Sequence, residues 1–265
     1  MCDALGMDVL DLGGMRVRKI VKASGTTPKN LGESHGGGPL TVVLMHGYGA
    51  PGDDLVGLGD AIAAPTGTTF LFPEAPSLLA DPALLPPLAP LASLDLLGDE
   101  ARAWWPIDVG RFQRAMMTGK LDDVMNEVPA GLASARESLV AMLDALERDT
   151  KTPGDRIVLG GFSQGSMLAM DVALRTERPL AGLVLLSGTL LAAPEWIPRM
   201  AARKELHVFQ SHGTEDPILP YPIAEKLRHA MQEAGMRVSF TSFEGGHGIS
   251  PEVMRDLGQW LTSRR

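Results

Sequence analysis

The stretch Arg156–Leu174 reads "RIVLGGFSQGSMLAMDVAL", and its two halves obey different periods. The first half, "RIVLGG", is apolar without alternation, as a strand covered on both faces is. The second half, "SMLAMDVAL", has the spacing of a buried helix. Between them, Gly161 to Gly165 spell G-x-S-x-G around Ser163. In a chain with 30 glycines that pentapeptide means little alone, and its setting between strand and helix is what gives it weight. A turn this tight strains the backbone of its central residue, and a Cβ two places before or after would clash, which gives Gly161 and Gly165 a reason. The reading predicts a nucleophile at Ser163, with a helix N-terminus aimed at the place where negative charge would develop.

Outward from this unit the same alternation recurs. Apolar, β-branched runs begin at Met15, Leu40, Thr68, Arg156, Ala181, Leu206 and Arg237, and each is read as a strand. Helical spacing marks Leu132 to Asp149, the segment after Ser163, "IAEKLRHAMQEAG" and "PEVMRDLGQWLTSR", the last with Ser250 as N-cap and Pro251 at the first helical position. Strands alternating with helices predict an α/β fold with a mostly parallel central sheet flanked by helices. One domain spanning residues 1–265 is expected. Residues 15–39 are read as an N-terminal strand followed by a polar, Gly-rich connector. Residues 76–100 are Pro/Leu-rich and too long for an ordinary connection, so they are expected to be an insertion over the sheet's edge or mouth, where they could serve as a lid.

Composition excludes several classes. With 32 acidic against 24 basic residues and a net charge of -8, the chain lacks the Lys/Arg excess on which nucleic-acid affinity rests. Its single cysteine, Cys2, permits no intrachain disulfide and no Cys-rich zinc site. No metal or cofactor is expected. The N-terminal residues carry Asp3, Asp8 and Asp11 without a basic or an apolar signal region, so the expected location is cytoplasmic. The most apolar stretch, from Pro179 to Pro198, is broken by Gly182, Gly188 and prolines, which fits a buried strand and loop better than a membrane span.

A serine hydroxyl needs a base, and the base needs an orienting group. In the chain order Ser, acid, His, Asp216 in "SHGTEDPILP" and His247 in "FEGGHGIS" each follow a strand directly, at the carboxyl edge where open α/β sheets place their sites. Glu215, Asp155 and Asp171 fit that placement less well. His229 lies in a helix and His207 opens a strand, whereas His212 is expected to support the Asp216 loop. One donor for an oxyanion should be the N–H after the nucleophile, that of Gln164, and a second should come from the loop after an early strand, here "LMHGYGAPGDD" around Tyr48.

Six segments in order, "LMHGYG", "FPEAP", "ARAWWPID", "GGFSQGSM", "SHGTEDPILP" and "GGHGISPE", resemble the phospholipase/carboxylesterase family of α/β-hydrolases, which includes acyl-protein thioesterases. The resemblance runs from about Thr41 to Leu261. It implies the α/β-hydrolase fold, a triad of Ser163, Asp216 and His247, and an oxyanion hole from the N–H groups of Tyr48 and Gln164. It further implies that Trp104 or Trp105, and Ile218, lie near the acyl pocket, although the tryptophan pair reads equally well as core packing. The expected activity is that of a serine carboxylesterase acting through an acyl-enzyme on short- to medium-chain esters, with a small-molecule ester or thioester as its partner. Two alternatives stand beside it. One is a lysophospholipase or acyl-protein thioesterase acting on long acyl chains, with a groove built from the Met-rich "RAMMTGKLDDVMNEV" and the Leu-rich insertion; the other is a hydrolase-fold protein that only binds. Oligomeric state is not legible in the sequence.

Overall fold

The computed structural model describes residues 7–23, 39–79 and 100–264. Most of the Gly-rich connector and of the 76–100 insertion lies outside the described residues. Ten strands and eight helices are found within them: β1 (Met7–Leu12), β2 (Met15–Val21), β3 (Thr41–Met45), α1 (Leu58–Ala61), β4 (Thr69–Pro73), β5 (Ser77–Leu78), β6 (Arg102–Ala103), α2 (Val109–Met117), α3 (Leu121–Met125), α4 (Leu132–Thr150), β7 (Ile157–Phe162), α5 (Gln164–Arg175), β8 (Gly182–Leu186), α6 (Ala193–Met200), β9 (His207–Gly213), α7 (Tyr221–Glu233), β10 (Arg237–Phe243) and α8 (Pro251–Thr262).

Eight strands form one sheet in the order β1-β2-β4-β3-β7-β8-β9-β10. From β4 to β10 every neighbouring pair is parallel, and β1 and β2 run antiparallel at one edge. The parallel strands show why their sequences do not alternate in polarity. In β3, Val43 and Met45 enter one core cluster while Val42 and Leu44 enter the other; in β8, Leu183 and Leu185 part from Val184 and Leu186 in the same way. Side chains point to alternate faces, and both faces are dry. One face is covered by α4, α5, α6 and α7, with Leu139, Leu168, Trp196 and Leu227 in its core; the other is covered by α8, with Val253, Leu257 and Leu261.

The hairpin β1–β2 turns on Gly13 and Gly14, at φ 62° and 81°, the paired positive dihedrals of a two-residue hairpin turn. Strand β1 was not among the expected strands, because its "MDVLDL" carries two aspartates on a half-exposed edge. Strands β5 and β6 pair antiparallel and so tie together the two ends of the Pro/Leu-rich segment.

Candidate active site

Loops after β3, β7, β9 and β10 leave the carboxyl edge of the sheet, with β8 between β7 and β9, and each of the four carries a residue singled out by the sequence. Ser163 directly follows β7 and N-caps α5 with φ 52° and ψ −116°, a region that non-glycine residues rarely occupy and that costs of order 1–3 kcal/mol. Its N–H donates to the Leu186 carbonyl at 2.8 Å, which pins the turn to β8. A Cβ on Gly161 would stand 2.6 Å from the Met45 carbonyl oxygen, and one on Gly165 would come closer still. Both glycines are therefore required by the approach of β3.

Asp216 is buried in the loop after β9. Its Oδ1 accepts from the Ile218 and Leu219 N–H groups, each at 2.9 Å. Its Oδ2 faces two histidines: His247 Nδ1 at 2.7 Å and His212 Nε2 at 3.2 Å. Burial by itself would raise the carboxyl's pKa; the hydrogen bonds from His212, His247 and the Leu219 amide outweigh it and hold the group well below the usual carboxylate range. An ionised acceptor at Oδ2 fixes the proton of His247 on Nδ1 and leaves Nε2 as the basic nitrogen. His212 Nε2 also lies 2.7 Å from the Leu219 carbonyl oxygen. Since both of its neighbours are acceptors, His212 carries its proton there, and it braces the Asp216 loop from within β9. The His247 ring rests against Phe162, the residue before Ser163, with centroids 4.8 Å apart. Ser187, after β8, donates from Oγ to the Gly248 carbonyl at 2.9 Å and so ties the His247 loop to the sheet edge.

On the opposite side lies the loop after β3. Among the described residues no protein acceptor is found for the Tyr48 N–H, and the N–H of Gln164, as the first residue of α5, has no partner within the helix. Among the described residues, neither of these two backbone donors at the sheet edge of Ser163 has a backbone acceptor outside a helix or strand. The loop is held from behind by His46, whose Nε2 accepts from the Ala75 N–H at 3.1 Å and whose Nδ1 donates to the Gly47 carbonyl at 2.8 Å. Buried Glu74 pairs with Arg18, and with Arg102 at 3.2 Å. The sequence gives little warning of these supports, or of Ser187. Glu74 and Arg102 stand inside the quoted "FPEAP" and "ARAWWPID" segments, but their pairing crosses the chain and leaves no local pattern.

The remaining residues singled out earlier fall in distinct places. Trp104 and Trp105 are each 3% exposed and belong to the apolar core, whereas Ile218 is 52% exposed beside Asp216. Asp171 is fully buried and receives Arg136, Arg175 and the Trp196 indole N–H, at 2.7, 2.8 and 2.9 Å; it joins α4, α5 and α6. The methionines of "RAMMTGKLDDVMNEV" do not share one surface: Met125 is buried, Met116 is half-buried and Met117 is 84% exposed. Among the described residues no helix is long and apolar enough to cross a membrane, and no group of three His, Cys, Asp or Glu side chains is gathered as a metal ion requires.

A serine at a strand–helix elbow, in a mostly parallel eight-stranded sheet with its acid and histidine after the last two strands, is the layout of the α/β-hydrolase fold. The chain belongs to the phospholipase/carboxylesterase family, whose sequence profile matches residues 118–264. A protein of Mycosarcoma maydis named acyl-protein thioesterase 1 is 30% identical over 222 residues, covering 78% of this chain and 88% of that one. Its namesake in Neurospora crassa is 34% identical over 143 residues, covering 52% of this chain; over that match the chain spans only 58% of the relative's length. Among solved structures, that of esterase PE8 superposes with a TM-score of 0.67 over 93% of this chain and 97% of its own, at 22% identity. At that identity the likeness speaks for the fold.

Proposed function

We propose that the protein is a serine hydrolase that cleaves carboxylic esters or thioesters through an acyl-enzyme. The observation that carries this reading is the 2.7 Å pairing of His247 Nδ1 with Asp216 Oδ2 at the sheet edge where Ser163 occupies the elbow. Ser163 Oγ attacks the substrate carbonyl while His247 Nε2 takes its proton, and the carbonyl oxygen becomes an oxyanion facing the N–H groups of Tyr48 and Gln164. Collapse of that adduct expels the alkoxide or thiolate, which receives the proton from His247. Water then repeats the sequence on the acyl-serine, releases the carboxylic acid and returns the proton to Ser163. Asp216 stays ionised throughout and stabilises the imidazolium, a role its depressed pKa supports.

Within this class, short- to medium-chain esters are the proposed substrates, with Ile218 bordering the acyl group. The relatives named acyl-protein thioesterase favour a second reading, long acyl chains on a thioester. Hydrolysis of p-nitrophenyl esters from acetate to palmitate separates the two, because pocket discrimination runs to ~1 kcal/mol or more per methylene. Ser163→Ala should reduce turnover by at least about 10³-fold at every chain length. An optimum at or below about six carbons is expected; an optimum at palmitate would assign the long-chain reading, and unchanged turnover in Ser163→Ala would remove the serine mechanism.

A further inference from the structure

The hydrolase reading uses only the backbone of Gln164. Its side chain is nonetheless buried and engaged at both ends: Oε1 accepts from the Trp104 N–H at 2.9 Å, and Nε2 donates to the Trp105 carbonyl at 2.8 Å. One carboxamide thus clamps two consecutive residues of the segment Arg102–Trp105. That segment also reaches the other donor loop. The Trp104 indole N–H donates to the His46 carbonyl at 2.9 Å, two residues before Tyr48. On the far side of Tyr48, the Gly49 N–H donates to the Arg102 carbonyl at 2.8 Å, and the Arg102 N–H donates to the Ala50 carbonyl at 3.0 Å. The Arg102 guanidinium is fixed in turn by the Ala75 carbonyl at 2.9 Å and by Glu74 at 3.2 Å.

Tyr48 is therefore bracketed, through His46 before it and Gly49 and Ala50 after it, by a strap that the Gln164 side chain holds from the elbow. Two N–H groups stabilise an oxyanion only if both lie within about 2.7–3.1 Å of one point. The Tyr48 loop has no helix of its own to aim its N–H, and the strap supplies a physical link to the other donor. We propose that Gln164, through its side chain, and Trp104 are positioning residues that set the separation of the two oxyanion donors. The inference rests on the hydrolase reading above. It also gives the tryptophan pair a function beyond core filling.

Trp104→Phe keeps an aromatic ring and removes the donor to His46; Gln164→Met keeps the chain length and removes both strap contacts. For each variant and for the double variant, kcat and KM on p-nitrophenyl butyrate are measured, with the Ki of a trifluoromethyl ketone whose Ser163 adduct places an oxyanion at the site, and Tm. Each single variant should lose about 10- to 100-fold in kcat with KM within about 2-fold, since small misplacement of donors acts on the transition state. The Ki should rise in proportion to the loss in kcat/KM. The double variant should fall no further than the worse single one, as members of one hydrogen-bonded chain do. Unchanged kcat, multiplicative losses, or a lowered Tm with unchanged Ki would each overturn the proposal, the last leaving packing as the strap's only role. Should Gln164→Met fail to fold, the kcat and Ki of Trp104→Phe decide alone. A wild-type protein that turns over no ester and binds no ketone would remove the hydrolase reading and this inference together; an active wild type with indifferent variants removes only the inference.

Discussion

Gly165 admits no side chain, because the neighbours a Cβ would meet are backbone atoms of Met45 and His46, the latter's carbonyl oxygen at 2.7 Å. Backbone in the middle of a sheet cannot yield as a flexible side chain does, so Gly165→Ala must displace the elbow itself. We expect the variant to fold with a lowered Tm and to lose at least about 10²-fold in kcat, the usual consequence of moving a reacting group by about 1 Å. A variant with wild-type kcat would show that the elbow tolerates the shift. The glycine pattern was legible in the sequence because its reason is local: a strand, a sharp turn and a helix within ten residues dictate it. The second histidine on Asp216 was legible only in part. "SHGTEDP" places His212 near the acid, but that its Nε2 would serve both Asp216 and the Leu219 carbonyl depends on how the loop closes.

At the scale of elements, strands buried on both faces were easy to find, since β3, β7, β8 and β9 owe their apolar runs to cover on both sides. Segments whose sequence and setting disagree were not. Helix α6 contains Pro194 and Pro198 and begins after Ala192 at φ 44°, so its residues look like a loop until Trp196 and Met200 are seen buried beneath it. Helix α2 hid behind a polar surface face and an exposed Met117. The connection between β3 and the loop after β4 yields a prediction of its own. Burial holds the His46 imidazole below its ordinary pKa, with the charge of Arg102 acting in the same direction and the Gly47 carbonyl opposing. A base whose folded pKa is depressed contributes in full above its unfolded value of about 6.5; below that pH the unfolded chain takes up a proton that the folded state refuses, and stability falls by up to ~1.4 kcal/mol per pH unit until the folded pKa is reached. His46→Gln retains an acceptor for the Ala75 N–H and cannot titrate. Urea denaturation of both proteins between pH 7 and 5 should therefore show the wild type losing stability more steeply. Parallel curves would mean that His46 protonates in the folded state as readily as in the unfolded chain.

For the whole molecule, Asp216 and His247 were legible from chain order together with the strand that each directly follows, because a parallel sheet delivers every strand's carboxyl end to one edge. What chain order cannot convey is the network that fixes their mutual distances. Gln164 and Trp104 stand 60 residues apart, Ser187 and Gly248 stand 61 apart, and neither pair leaves a spacing that sequence periodicity could reveal. These contacts cross between loops and link the ends of the five consecutive strands β3, β7, β8, β9 and β10. Whether Ser163 is a nucleophile, as proposed above, is read from covalent labelling. The protein is incubated at neutral pH with a fluorophosphonate, and the adduct is located by mass spectrometry of the tryptic fragment from Ile157 to Arg175. One adduct per chain is expected, on Ser163, lost in His247→Ala while Ser166 in the same fragment stays unmodified. Folded protein that takes up no label, or that takes it up equally in His247→Ala, would show that Ser163 is not activated by His247.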